Sequence, residues 1–133
     1  MSGDNVQVFR RSIDAWNLGD LDTSFSYFDA NAVVITDPSW MEPGPFEGRD
    51  AIRAWYEGLR EAWEGQEIVF TDICEVGDTL VVARVDWQVR GRTSGMDTDL
   101  DATCVIKVEG GKIVHQQWFF DHGEALEAAG LLE

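Results

Sequence analysis

The stretch from Asn31 to Trp63, NAVVITDPSWMEPGPFEGRDAIRAWYEGLREAW, constrains the fold most, because its hydrophobic period changes midway. Ala32 to Thr36 is a short apolar strand that runs into Asp37, and Asp37 precedes Pro38. A residue before proline is driven out of the α region, so Asp37 is expected to be extended, at a strand end. The following loop, Pro38 to Gly48, is broken by proline and glycine yet carries Trp40, Met41 and Phe46, which suit a cover over something apolar. From Arg49 the period becomes helical: Ile52, Trp55, Tyr56, Leu59 and Trp63 recur at intervals of three and four, one apolar stripe. The unit reads as strand, carboxylate, aromatic lid and aromatic-faced helix. It can set one acid at the mouth of an apolar cavity.

The flanking segments supply the remaining layers. Asp4 is placed to cap a first helix with Gln7 as its reciprocal partner, and Val6, Phe9, Ile13 and Trp16 form its buried stripe. Gly19 ends it. Asp20 or Asp22 then starts a short second helix, with Leu21, Phe25 and Phe28 facing inward. Gly65 is expected to close the third helix. Strands follow at Ile68 to Val76, Thr79 to Val89, Thr98 to Val108 and Lys112 to Phe120. They are separated by Gly77-Asp78, a loop from Gly91 to Gly95, and Glu109-Gly110-Gly111, and a helix near Glu124 to Ala129 ends the chain.

Side chains two apart share a strand face, so Ala83, Val85, Trp87 and Val89 face the core, as do Ala102, Cys104, Ile106 and Val108. In the last strand Val114, Gln116, Trp118 and Phe120 alternate with Ile113, His115, Gln117 and Phe119; neither set is purely polar, so both faces are expected to be covered. The prediction is one α+β domain over residues 1–133, with three helices on one face of a curved, mostly antiparallel sheet. The opposite face, carrying Val105 and Phe119, is expected to pair two copies into a homodimer.

Charge and composition narrow the partners. With 25 Asp and Glu against 10 Lys and Arg the formal charge is -15, which repels phosphate backbones and anionic lipid surfaces, so neither nucleic acid nor membrane is expected. No apolar run approaches the roughly 20 residues of a spanning helix. The start, MSGDNVQVFRRS, lacks a signal peptide's apolar core, and a cytoplasmic protein is expected. Cys74 and Cys104 read as free buried thiols. No triplet of His, Asp or Glu has ligand spacing, so no metal is expected; His115 and His122 read as surface residues. Six tryptophans in 133 residues either fill the core or line a ligand cavity. The pocket candidates are Trp16, Trp40, Tyr56, Trp87, Trp118 and Phe120, with Gln116 aimed at a ligand carbonyl or hydroxyl. The large ring of Trp118 is expected to narrow the space.

Four segments, WNLGDLD at 16–22, FDANAVVITDP at 28–38, FEGRDAIRAWYEGL at 46–59 and GGKIVHQQWFFD at 110–121, resemble in order and spacing the nuclear transport factor 2-like superfamily. The closest branches are the ketosteroid isomerase-like and SnoaL-like (polyketide cyclase-like) ones. The resemblance implies a cone-shaped, cystatin-like sheet with helices on its concave face. Asp37 in VITDP matches the isomerase base, and Tyr56 matches a tyrosine of the third helix. Ser12 stands where that family has its oxyanion tyrosine, Cys104 where it has a protonated aspartic acid, and Phe28 where it has a supporting tyrosine. Serine and thiol are weak replacements for those donors, which ranks SnoaL-like acid/base chemistry above steroid isomerisation. In the SnoaL-like cyclases an aspartate near the end of the last strand is the acid/base; Asp121 in WFFD is its counterpart.

Two readings of Asp37 stand open: a general base made stronger by withdrawal from water among Phe28, Trp40 and Tyr56, or a turn aspartate bonded to nearby amides. Asp121 reads equally as the cap of the terminal helix, and Cys104 as a packing thiol. The expected function is cofactor-free isomerisation, cyclisation or dehydration of an apolar carbonyl or polyketide-like ligand. The alternative is a non-catalytic ligand-binding or assembly module of the same fold.

Overall fold

A computed structural model of the chain describes residues 4–37, 44–91 and 97–130, the side chains of Asp97 and Thr98 excepted. Of the expected loop from Gly91 to Gly95, Gly91 still belongs to a strand, while residues 92–95 and most of the aromatic lid, Trp40 included, lie outside the described residues. The elements run α1 (Asp4–Leu18), α2 (Leu21–Ser26), β1 (Phe28–Ile35), β2 (Phe46–Glu47), α3 (Arg49–Ala62), β3 (Trp63–Val76), β4 (Leu80–Gly91), β5 (Asp97–Glu109), β6 (Lys112–Phe119) and α4 (His122–Ala128). The six strands form one curved sheet in the order β2-β1-β6-β5-β4-β3, antiparallel except where β1 lies parallel to β6.

Local chemistry sets most of these boundaries. Phe9, Ile13 and Trp16 put the apolar stripe of α1 inward, and α1 ends where Gly19 takes φ 82° and donates its N–H to the Trp16 carbonyl. Asp20 caps α2 through Thr23 N–H. Gly48, at φ 92°, donates to the Ala32 carbonyl and opens α3, whose Ile52, Trp55 and Tyr56 are buried. The last hairpin turns through Gly110 and Gly111, both at positive φ, as a type I′ turn requires. Gly65 does not close α3. Trp63 is already extended, its ring edge-on to Trp87, and Gly65 falls at an irregularity inside β3.

Two further bulges decide which side chains face inward. A bulge inserts one residue and exchanges the faces beyond it. The first, between Phe70 and Asp72, keeps Ile68, Phe70 and Ile73 on the core side and turns Cys74 outward. Cys74 is therefore exposed, against the expectation of a buried thiol, while Cys104 is buried as expected. The second, between Lys107 and Val108, brings Ile113 to the same side as Gln116 and Trp118, so β6 is apolar on both parities. A direct test is thiol labelling with an aromatic disulfide: one cysteine should react in the native protein and the second only in denaturant. Partial burial and, next, the charge of Asp72 push the Cys74 thiol up, so its labelling should keep accelerating above the ordinary thiol range. No fast thiol would contradict the register of β3, and two would contradict the burial of Cys104.

The helices α1, α2 and α3 cover the inner face, and the main core lies between them and β3 to β6. The outer face is not bare. Ala125 and Ala129, in and just after α4, pack on Val82 and Val105, with Phe119 and Leu126 beside them. Val105 and Phe119, expected at an open dimer surface, are thus covered by α4, because the chain folds back across the sheet after β6. The uncovered outer face is charged and carries the Arg84–Asp101 pair at 2.8 Å. Among the described residues no helix is long and apolar enough to cross a membrane.

Candidate functional site

Between α1, α2, α3 and the inner face of the sheet lies a small cavity lined by Ser12, Trp16, Phe28, Tyr56, Gln116 and Trp118, together with Ile13, Ser24, Phe25 and Ile68. Its volume is about 20 Å³, enough for roughly one water. The tryptophans have nearly filled the cone: Trp16, Trp87 and Trp118 form a continuous set of rings with centroids 6.4 and 5.5 Å apart.

The polar groups facing the cavity are tied into two closed sets. Ser12 Oγ donates to the Ser24 carbonyl at 3.0 Å and Ser24 Oγ donates to the Ser12 carbonyl at 2.7 Å, which clasps α1 to α2. The Ser12 hydroxyl, expected from the resemblance at an oxyanion position, is therefore spent on the backbone. On the sheet side, Trp118 Nε1 donates to Tyr56 Oη at 2.8 Å, and Tyr56 Oη donates to Gln116 Oε1 at 2.5 Å. Gln116 also hydrogen-bonds the Cys104 thiol. All four residues are buried, so each missing partner would leave a polar atom without water.

Burial governs the ionisation of this set. It pushes the Tyr56 phenol well up, with Cys104 adding to the effect and the Trp118 hydrogen bond opposing it. Burial also pushes the Cys104 thiol well up against the Gln116 bond, so Cys104 is no nucleophile near neutrality. Both groups sit neutral, as donors or acceptors. A raised folded-state pKa gives stability that is present below the ordinary tyrosine range and lost as pH rises through it. We expect Tyr56→Phe to cost about 1–3 kcal/mol for each of the two atoms it strands, Gln116 Oε1 and Trp118 Nε1. A double-mutant cycle with Gln116→Leu in urea checks this: the pair together should cost less than the sum of the two singles. Strict additivity would mean the chain is not coupled.

The two candidate carboxylates are placed differently. Asp37, 9% exposed, accepts the Phe120 N–H on Oδ2 at 3.1 Å, just beyond the end of β6. It does not line the cavity, although the strand it braces supplies Gln116 and Trp118. Asp121 is exposed, and its Oδ1 accepts the Glu124 N–H at 3.0 Å, the geometry of a helix N-cap.

The remaining sequence candidates divide. Trp87 and Cys104 stand behind the cavity wall, fully buried. Phe120 is 37% exposed and does not join the pocket, because β6 ends at Phe119 and the chain turns away to α4. His115 is half-buried rather than a surface residue, and burial followed by the charge of Lys107 lowers its pKa. His122 is also half-buried, its Nδ1 paired at 2.8 Å with the buried Thr103 hydroxyl. Among the described residues no group of three or more His, Cys, Asp or Glu could hold a metal.

Sequence reasoning missed Ser24 and Gln66. Gln66 Oε1 accepts both the Trp16 and the Trp87 indole N–H, at 2.7 and 2.8 Å. The usable signal was the inward parity of position 66 with Ile68 and Phe70, next to buried tryptophans that each need an acceptor.

A family model described as the SnoaL-like domain matches residues 9–116. None of the curated proteins matches the chain. Among solved structures, an NTF2-like protein of unknown function from Burkholderia pseudomallei K96243 is similar with TM-score 0.79 at 19% identity, over 94% of this chain and 96% of that one. A protein of ketosteroid isomerase-like fold from Catenulispora acidiphila DSM 44928, solved in complex with trimethylamine, gives 0.75 at 15% identity over 98% and 95%. RV0760c from Mycobacterium tuberculosis, solved with estradiol-17beta-hemisuccinate, gives 0.79 at 11% identity over 92% and 97%. At these identities the likeness is one of fold.

Proposed function

Because the chain belongs to the SnoaL-like domain family, we propose that it binds a small, largely apolar molecule carrying a carbonyl or hydroxyl oxygen inside the cone. There it catalyses cofactor-free proton transfer, in an isomerisation, cyclisation or dehydration, with Asp37 as the base. The observation that carries this reading is the buried chain Trp118–Tyr56–Gln116 at the wall of an otherwise apolar cavity. Such a chain can exchange one internal partner for a ligand oxygen and hold it in a fixed direction. Tyr56 and Gln116 orient the oxygen; the carboxylate at the end of the neighbouring strand takes the proton from carbon. The ligands in the two solved relatives, trimethylamine and a steroid hemisuccinate, agree with a cone used for small molecules.

A second reading, ligand binding without turnover, is favoured by the position of Asp37 off the cavity wall, one oxygen engaged by Phe120 N–H. The two are separated by titrating small cyclic and aryl ketones while following deuterium wash-in next to the carbonyl by proton NMR. Wash-in above the buffer rate that disappears in Asp37→Asn, with affinity kept, supports catalysis. Saturable binding with wash-in at the buffer rate supports the binding module, and no binding by any ketone removes both.

The same reading takes the protein to be cytoplasmic and homodimeric, through the part of the outer sheet face that α4 leaves uncovered. Sedimentation equilibrium giving only a 14.9 kDa species would remove the dimer.

A further inference from the structure

We propose that the indole N–H groups of Trp16 and Trp87 form a two-donor site for a ligand's carbonyl oxygen, a position that the side-chain oxygen of Gln66 occupies in this structure. This rests on the reading that the cone binds a small oxygen-bearing molecule, and it adds a second seat for such an oxygen, distinct from the one at Tyr56 and Gln116.

The geometry is that of a donor pair converging on one point. Trp16 Nε1 and Trp87 Nε1 lie 2.7 and 2.8 Å from the same atom, Gln66 Oε1. An indole nitrogen only donates, so the atom between them is oxygen and the Gln66 amide nitrogen must turn away. That nitrogen, Nε2, is buried and donates to nothing among the described residues. A buried amide with an unmet donor is a poor permanent occupant, because the unmet group carries its full desolvation cost. Two fixed N–H groups at 2.7–3.1 Å from one oxygen are also the arrangement that stabilises charge developing on a carbonyl oxygen.

The donors hold their places without Gln66. Arg60 donates to the Trp16 carbonyl at 2.8 Å, its guanidinium 4.6 Å over the Trp16 ring. Next door, Asn17 bonds both the carbonyl and the N–H of Ile68, which fixes the end of α1 to β3. Trp87 is 1% exposed, between Trp63 and Trp118. Gln66, by contrast, is only partly buried, and it borders an open groove of about 440 Å³ with Glu64, Glu67, Gln88 and Arg90. It also lies on β3, an edge strand of the sheet, so no strand among the described residues flanks it on its outer side. A ketone displacing the Gln66 side chain would set its oxygen between the indoles and its apolar body toward Ile68 and the cavity that Trp16 also lines. The pair would supply the donors that Ser12 and Cys104 do not.

The test uses two probes of one shape, cyclopentanone and methylenecyclopentane, in which an oxygen is exchanged for a methylene group. In proton–nitrogen spectra of the wild-type protein, the indole signals of Trp16 and Trp87, assigned through Trp16→Phe and Trp87→Phe, should move with the ketone and not with the alkene. Gln66→Ala should bind cyclopentanone about tenfold more tightly than wild type, and Trp87→Phe in that background should remove most of the gain. An equal gain for both probes in Gln66→Ala would reveal a mere void and overturn the proposal. Ketone binding with those two signals unmoved overturns it and leaves the cone reading intact. Failure of both proteins to bind either probe overturns the two together. Should Gln66→Ala fail to fold, the wild-type spectra decide alone.

Discussion

Trp118→Ala should lower stability by about 3–5 kcal/mol, the range for deleting a buried large aromatic side chain, and the melting temperature by roughly 10–20 °C. Trp118 is 4% exposed, stacks obliquely on Trp87 at 5.5 Å and donates to Tyr56 Oη. Truncation removes the ring, joins its volume to the existing cavity and leaves the Tyr56 oxygen without its donor. The site cannot collapse easily, because the strands on either side of it are fixed by the ladder and α3 rests on Tyr56. A dry, enlarged apolar cavity should therefore take up indole, which would raise the melting temperature again by mass action. Thermal scans with and without indole check both halves. A loss under 1 kcal/mol, or no recovery with indole, would mean that Trp118 does not fill the cone as described.

Asp37→Asn should slow proton transfer by about 10²–10⁴-fold, the usual worth of one positioned general base. The substitution is informative because it separates chemistry from support. Asparagine keeps an oxygen for the Phe120 N–H, so the strand end that Asp37 braces survives and stability should change little. Affinity for the ketone should likewise hold, since Asp37 is not part of the cavity wall. A fall in rate with unchanged affinity places the loss in the transition state; a fall in affinity with an unchanged rate would assign Asp37 to the scaffold.

How far the chain could be read without its structure depended on whether each signal was local. The stripe of α1, the Asp20 cap and the Gly110-Gly111 turn rest on contacts a few residues apart, and all three stand as expected. Strand parity also held for Ala83, Val85 and Trp87, where β4 runs without irregularity against β5. It failed at Cys74, because a bulge leaves no mark in composition and one inserted residue exchanges the faces. The two-residue strand β2 and the parallel pairing of β1 with β6 join segments far apart in sequence, which no periodicity reports. The reach of α4 over Val82 and Val105 is of the same kind.

The site followed the same rule. Ser12, Trp16, Phe28, Tyr56, Gln116 and Trp118 line one cavity. Which polar atoms they spend on one another was not legible, because Ser24 and Gln66 enter only through tertiary contacts. Nor was the near closure of the cone, which depends on how three indole rings nest. Phe120 was assigned inward from strand parity, but the strand ends one residue earlier.

The central claim, that the cone takes up a small oxygen-bearing ligand, is tested most directly by tryptophan-quenching titration of the wild-type protein and Trp118→Ala with small cyclic and aryl ketones. The account predicts saturable, one-to-one quenching by the smallest ketones in the wild type, and extension to larger rings in Trp118→Ala. Absence of saturation in both proteins, with each shown to be folded, would contradict it: the cone would be a filled core.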